Sequence, residues 1–212
     1  MTPLLTTAYW PSLHYFYYVL HSEHLLIERY ENYQKQSYRN RTLILTANGV
    51  LPLSIPVKKR AVKELTRDLQ ICYGENWQIR HWRAILSAYK NSPFFDYFED
   101  EVHYFYSKRV ESLLEYNQLQ LQLLLKLLKL KKQVSFTSEF KPPVSGDSSD
   151  LRFITDPKTD FKQDERVQAI LSQPYYQTFG DKYGFTPNLS MLDLLFNTGL
   201  ESIAYLSEGK IA

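Results

Sequence analysis

Leu4-Leu5-Thr6-Thr7-Ala8-Tyr9-Trp10-Pro11-Ser12, followed by the aromatic run Leu13 to Leu20 and then by Leu25 to Tyr30, is the stretch on which the fold turns. Leu4 to Trp10 is apolar and threonine-rich, is closed by Pro11, and reads as a buried first strand. Pro11 and Ser12 then open a helix, because a proline at a helix start sacrifices only an N–H that would have no partner there. Leu25 to Tyr30 is the next strand. A strand, a returning helix and a second strand imply an α/β protein. In such open sheets, ligands sit beyond the carboxyl ends of the strands. If the two strands are parallel neighbours, Tyr9 to Ser12 and Tyr33 to Arg41 converge on one cleft.

The second of those segments is unusual in composition. Asn32 to Arg41 places Lys35, Arg39 and Arg41 among Gln34, Gln36 and Asn40 with no aliphatic residue. Two guanidinium groups that can fork onto a phosphate or carboxylate, beside a lysine acting as a point charge, make an anion-binding loop. A solvated basic turn is the competing reading.

Thr42 to Thr46 and Val50 to Val57 flank Ala47-Asn48-Gly49, and Asn-Gly between β-rich runs predicts a hairpin with a type I′ turn at Asn48-Gly49. Pro52 and Pro56 cannot donate ladder hydrogen bonds, so the second arm is an edge or carries a bulge. Lys58, Lys59 and Arg60 close it, and edge protection explains them as well as ligand binding does. Leu69 to Tyr73 reads as a further short strand.

Asn76 is placed to cap a helix reaching about Asn91, with Trp82, Ile85, Leu86 and Tyr89 as its core stripe and Arg80, Arg83, Ser87 and Lys90 on another face. His81 lies between the two faces. Ser92-Pro93 ends this helix, and Phe94 to Tyr106 forms the next. Ser107 to Lys131 reads as one long helix whose leucines run nearly all round its second half, so that half is covered on more than one side. Packing within the chain is one explanation, and a homodimer contact is the other. Val134 to Phe136 is a strand after a crossover. Residues 141–164 form a loop-rich segment in which Asp150 to Ile154 briefly regains order. Ser190 with Asp193 approximates a capping box, opening a last helix from Met191 to about Thr198 that stops at Gly199.

The expected fold is thus a single α/β domain over residues 1–212, with a mixed sheet containing a β-hairpin, covered by helices in a three-layer Rossmann-like arrangement. Twenty-five basic against 23 acidic residues give a net charge of +2, which argues against nucleic acid as partner. The lone Cys72 excludes an intramolecular disulfide framework and a multi-cysteine zinc site. The start lacks a signal-peptide pattern and Leu119 to Leu130 is interrupted by Gln120, Gln122, Lys126 and Lys129, so the expectation is a cytoplasmic protein without a membrane span. There is no Gly-rich Walker or Rossmann fingerprint, no His-Glu-x-x-His and no Gly-x-Ser-x-Gly; no metal is indicated, and the sequence assigns no particular cofactor.

Several segments taken together resemble the WbqC-like family of bacterial proteins. They are Tyr9 to Phe16, Tyr33 to Arg41, Pro56-Val57, His81 to Ile85, Ala88 to Lys90, Ser92 to Phe95, and Pro187 to Asn197. They occur in one order across nearly the whole chain. The resemblance implies a role near surface polysaccharide or O-antigen biosynthesis, as a transferase of acyl, aminoacyl or nucleotidyl type acting on a sugar nucleotide or another phosphate-bearing small molecule. A non-catalytic sugar-nucleotide-binding or assembly protein is the alternative. Leu5, Thr6 and Thr7 stand where many relatives carry His-Gln-Pro, which favours that alternative. On the first reading Lys35, Arg39 and Arg41 hold phosphate, and His81 is the acid/base candidate because its ordinary pKa lies nearest neutrality. The matching segments add Tyr9, Tyr38, Asn40, Arg83, Tyr89, Asn188 and Asp193 to the candidate substrate-binding set. From the residues alone, Asn188 and Asp193 read as helix caps.

Overall fold

The computed structural model describes residues 2–58, 64–144, 146–153 and 156–209; expectations that touch Lys59, Arg60, Ile154 and Thr155 lie outside these described residues. The chain is α/β. β1 (Leu4–Thr6), α1 (Leu13–Leu20) and β2 (His24–Glu28) form the expected strand–helix–strand unit. β1 and β2 are parallel, with Leu4 opposite Leu26 and Thr6 opposite Glu28. All three residues of β1 are buried, as a short parallel strand covered on both faces requires. The strand is shorter than its apolar pattern suggests. Beyond it the Tyr9 N–H donates to the Tyr38 carbonyl, and Trp10 takes a φ of 38° that no strand continues through. Pro11 lies outside α1; Ser12 is the cap, its hydroxyl accepting from the Tyr15 N–H.

The hairpin forms as β3 (Arg41–Thr46) and β4 (Gly49–Ser54), but as a separate two-stranded sheet. One mixed sheet is therefore not what the strands build, and a Rossmann-like layering does not follow from them. The turn also differs from expectation. Thr46 pairs with Gly49, leaving Ala47 and Asn48 as the loop, and only Gly49 among these has positive φ, at 95°. A glycine in that conformation just after a two-residue loop is the G1-bulge arrangement rather than a type I′ turn.

α2 (Trp77–Tyr89) begins after Asn76, which adopts left-handed φ of 49° and makes no side-chain cap, so the predicted capping role is not taken. Its buried face is Trp77, His81, Ile85, Ala88 and Tyr89, which puts His81 in the centre of that face instead of at its margin. Arg80, Arg83, Ser87 and Lys90 are exposed. α3 (Phe95–Ser107) follows. The expected long helix is then shortened: Lys108 turns extended, and α4 (Leu113–Leu127) starts anew where the Ser112 hydroxyl accepts from the Glu115 N–H. Leu69 to Tyr73 contributes only isolated bridges, Ile71 to Val57 and Gln70 to Ser112.

β5 (Gln133–Phe136) returns parallel to β2, giving the order β1-β2-β5. Asp150 makes a parallel bridge to Leu4 on the far side of β1. The C-terminal part is helical: α5 (Gln168–Leu171), α6 (Gly180–Tyr183), α7 (Met191–Thr198) and α8 (Ser202–Glu208). α7 stops at Gly199 as predicted, whereas α8 beyond it carried no recognised signal. Every residue of α7 is buried, and it touches α1, α2, α3, α8 and β3. It is the helix around which the core closes.

The starts of α1 and α7 are joined backbone to backbone. Ser12 and Ser190 form an antiparallel bridge, the Leu13 N–H donates to the Leu189 carbonyl, and the Met191 N–H donates to the Pro11 carbonyl. Each helix start thereby satisfies donors of the other that would otherwise be orphaned. Asn188 joins in, its Oδ1 accepting from the His14 N–H at 2.9 Å.

Candidate functional site

The carboxyl ends of β1 and β2 do bring the two polar segments together. Asn117 of α4 bridges them by donating to the Thr7 hydroxyl at 3.1 Å and to the Arg39 carbonyl at 2.7 Å. The Thr42 hydroxyl donates to the Trp10 carbonyl, tying the hairpin to the same node. Convergence in space, however, divides the candidate residues into two groups.

The first group is enclosed. Arg39 is 2% exposed, and its Nε and Nη2 donate to the two carboxylate oxygens of Glu31, each at 2.7 Å. That fork is saturated by a carboxylate of the chain itself, so a ligand anion would have to displace Glu31. Tyr9 donates or accepts at both the His81 Nδ1 and the Tyr106 hydroxyl, each at 2.9 Å, and Trp10 Nε1 donates to the same Tyr106 oxygen. His81 sits against Tyr9, Trp77 and Tyr106. Burial, followed by the Arg80 charge, pushes its pKa down to about 4, partly offset by the Ser54 backbone carbonyl, so the ring is neutral at physiological pH. Tyr38 is buried, with its phenol pushed up to about 12 chiefly by desolvation. Asp193 is not a cap. Its carboxylate accepts from Tyr89 at 2.8 Å, Tyr175 at 2.6 Å and the Gln177 amide at 3.0 Å. Burial raises its pKa to about 6 although those donors pull it down.

The second group opens to solvent. A cleft of about 560 Å³ is lined by Tyr33, Lys35, Asn40, Ser54, Ile55, Pro56, Val57, Lys58, Cys72 and Glu75. It lies between the basic loop and the outer arm of the hairpin. Arg41 stands at its edge, where Nε donates to the Ser54 hydroxyl at 3.4 Å. The Lys58 ammonium is held toward Gln70 Oε1 at 3.0 Å. Glu75, the one carboxylate in the wall among the described residues, is paired with Arg80 at 3.3 Å. Among the described residues the wall therefore presents two lysines, with Arg41 at its edge, against one acid that is already paired. Asn40 donates its amide to the Ile55 carbonyl at 2.8 Å, and its buried Oδ1 has no partner among the described residues. A buried acceptor left unpaired costs free energy, and a donor brought by a ligand would recover it. Arg83 lies on the outer face of α2 and does not line this cleft.

Lys58, Tyr33 and Ser54 were not among the sequence candidates as binding residues. The Lys58-Lys59-Arg60 cluster was the available signal, and edge protection explained it equally well. Among the described residues no group of three or more His, Cys, Asp or Glu is arranged to hold a metal, and no helix is long and apolar enough to cross a membrane.

The fold and the cleft define an α/β protein with a cationic, aromatic-edged depression beside a β-hairpin. The chain belongs to the WbqC-like protein family, whose model matches residues 7–178. It is also 25% identical over 225 residues to the uncharacterized protein Rv1507c of Mycobacterium tuberculosis, with 96% of each chain covered. No solved structure matches it.

Proposed function

We propose that the cleft between the basic loop and the hairpin binds a phosphate-bearing small molecule such as a sugar nucleotide, in the service of surface polysaccharide or O-antigen biosynthesis in the cytoplasm. The observation that carries this reading is the juxtaposition of Lys35 and Lys58, with Arg41 at the rim, around a cavity in which the one acid among the described residues is already paired. Tyr33 offers an apolar face with a hydroxyl, suited to a base or sugar ring.

A transferase of acyl, aminoacyl or nucleotidyl type working here would stabilise charge on its phosphate-linked substrate through these cations and through positioning. The second reading, a non-catalytic binder or assembly protein, is favoured by one observation. His81, the acid/base candidate, is enclosed behind Ser54 and hydrogen-bonded to Tyr9, and does not line the cleft.

Calorimetric titration against a panel of nucleotide sugars tests the binding. Charge-assisted contacts of roughly 1.5–3 kcal/mol predict that Lys35→Ala or Lys58→Ala each weakens the complex about tenfold or more. Arg83→Ala leaves it unchanged. If no nucleotide sugar binds, the reading fails. Phosphorus NMR of a bound donor with candidate acceptors separates the two versions: consumption of the donor signal marks a transferase, and an intact donor marks a binder.

A further inference from the structure

α3 and α4 run past each other in opposite directions without closing. Tyr104 and Phe105 face Leu119, Gln122 and Leu123, and further along Phe94, Tyr97 and Phe98 face Leu127. Between them lie two successive hollows of about 490 and 460 Å³. Their apolar rims are wet: Tyr97 is 74% exposed, Tyr104 53%, Leu200 49% and Leu119 36%. Such side chains scattered singly mean little, but here they share one groove. The groove also divides its charge by helix. Asp100 and Glu101 of α3 line the first hollow opposite Lys126 of α4, Glu201 lines the second, and Asp96, Lys129 and Lys131 are exposed on or just beyond the same two helices. Among the described residues none of these acids is ion-paired with any of these lysines.

We propose that this groove is the interface of a homodimer, in which each copy lays the leucine- and lysine-bearing end of α4 against the acidic α3 of the other. One molecule carries both halves of the charge pattern, and a two-fold axis makes every such contact twice. No other occupant is required by that pattern. The second half of α4 is leucine-rich nearly all round because one side faces the core and the other faces a partner.

Sedimentation equilibrium of the full chain tests this. The expected species has twice the 25.1 kDa mass of the monomer. Leu119→Asp with Tyr104→Asp, both at exposed positions and both adding the same charge to the facing helices, should give a monomer with an unchanged circular dichroism spectrum. Lys126→Glu with Lys129→Glu should raise the dissociation constant about tenfold or more, and adding Asp100→Lys with Glu101→Lys in the same chain should lower it again, since the swapped charges are complementary once more. A wild type that remains monomeric at hundreds of micromolar overturns the proposal. So does a dimer indifferent to all of these substitutions, because it would be built on another face.

Discussion

Arg39 and Lys35 are four residues apart in a segment that looks uniformly polar, yet they have opposite fates. Arg39 points inward onto Glu31 and is enclosed, whereas Lys35 is exposed in the cleft wall. Arg39→Lys keeps the charge and loses the fork, leaving Glu31 buried with at most one partner. Breaking a buried pair costs about 3–5 kcal/mol when a partner is removed outright, and the lysine variant should lose a sizeable part of that in chemical denaturation. Lys35→Ala should melt like the wild type. A melting temperature unchanged in both would mean that the Arg39–Glu31 pair contributes nothing net.

Asp193 gives a prediction at the same scale in the pH domain. It is an acid whose folded pKa, about 6, is raised above the ordinary 3.8, so the folded state holds its proton more tightly than the unfolded state does. Its contribution therefore favours folding at low pH, declines as pH rises from about 4 to about 6, and is flat above that. Two pKa steps of this kind correspond to about 3 kcal/mol at most. Asp193→Asn cannot titrate. The stability difference, wild type minus variant, should fall between pH 4 and pH 7 in urea unfolding; a difference that rises or stays level would show that the three donors outweigh burial.

Among elements, the hairpin shows how a correct assignment can rest on the wrong turn. Asn-Gly announced the reversal, and β3 and β4 are where their β-rich patterns put them. The register nevertheless makes Ala47-Asn48 the loop and assigns the positive φ to Gly49 alone. Asn48→Ala should consequently cost less than about 0.5 kcal/mol, while Gly49→Val, forcing a β-branched residue to φ near 95°, should cost at least 1–2 kcal/mol. A type I′ turn would make both substitutions costly, so thermal denaturation of the two variants distinguishes them. α1 and α7 were likewise legible as helices from Ser12 and Ser190, but their mutual end-to-end bonding was not, because a backbone bond between residues 11 and 191 leaves no trace in either local pattern.

The whole molecule is held at its loop-rich side by one carboxylate. Glu28, fully buried at the end of β2, accepts from the Tyr30 N–H at 2.7 Å, the Thr137 hydroxyl at 2.8 Å, the Lys141 N–H at 3.0 Å and Arg152 Nη1 at 3.3 Å. Arg152 in turn donates to both oxygens of Asp150, which sits beside β1. The parallel sheet, the chain after β5 and the segment around 150 thus share a single buried ionic node. Among the described residues Glu28→Gln leaves Arg152 with Asp150 as its one carboxylate partner, and offers the backbone donors one acceptor fewer. The expected loss is about 3 kcal/mol or more, with limited proteolysis accelerating between residues 138 and 153. Unchanged proteolysis there would show that the node does not fasten the loop.

The sequence by itself determined the α/β class, the strand–helix–strand opening, the hairpin, the approximate extents of α1, α2, α3 and α7, and the family, because these depend on local periodicity, helix-start and helix-stop residues and the order of short segments. Only the tertiary structure decided what the polar residues do. Arg39, His81 and Asp193 have the chemistry of a binding site, but burial and partners remote in sequence turn them into internal framework. Lys58 and Tyr33 joined Lys35 in the open cleft because the hairpin folded over beside the loop. Charge and hydrogen-bonding capacity are properties of a side chain; whether they are spent on the chain itself or offered to a ligand depends on which distant groups the fold brings within three ångströms, and no local pattern encodes that distance.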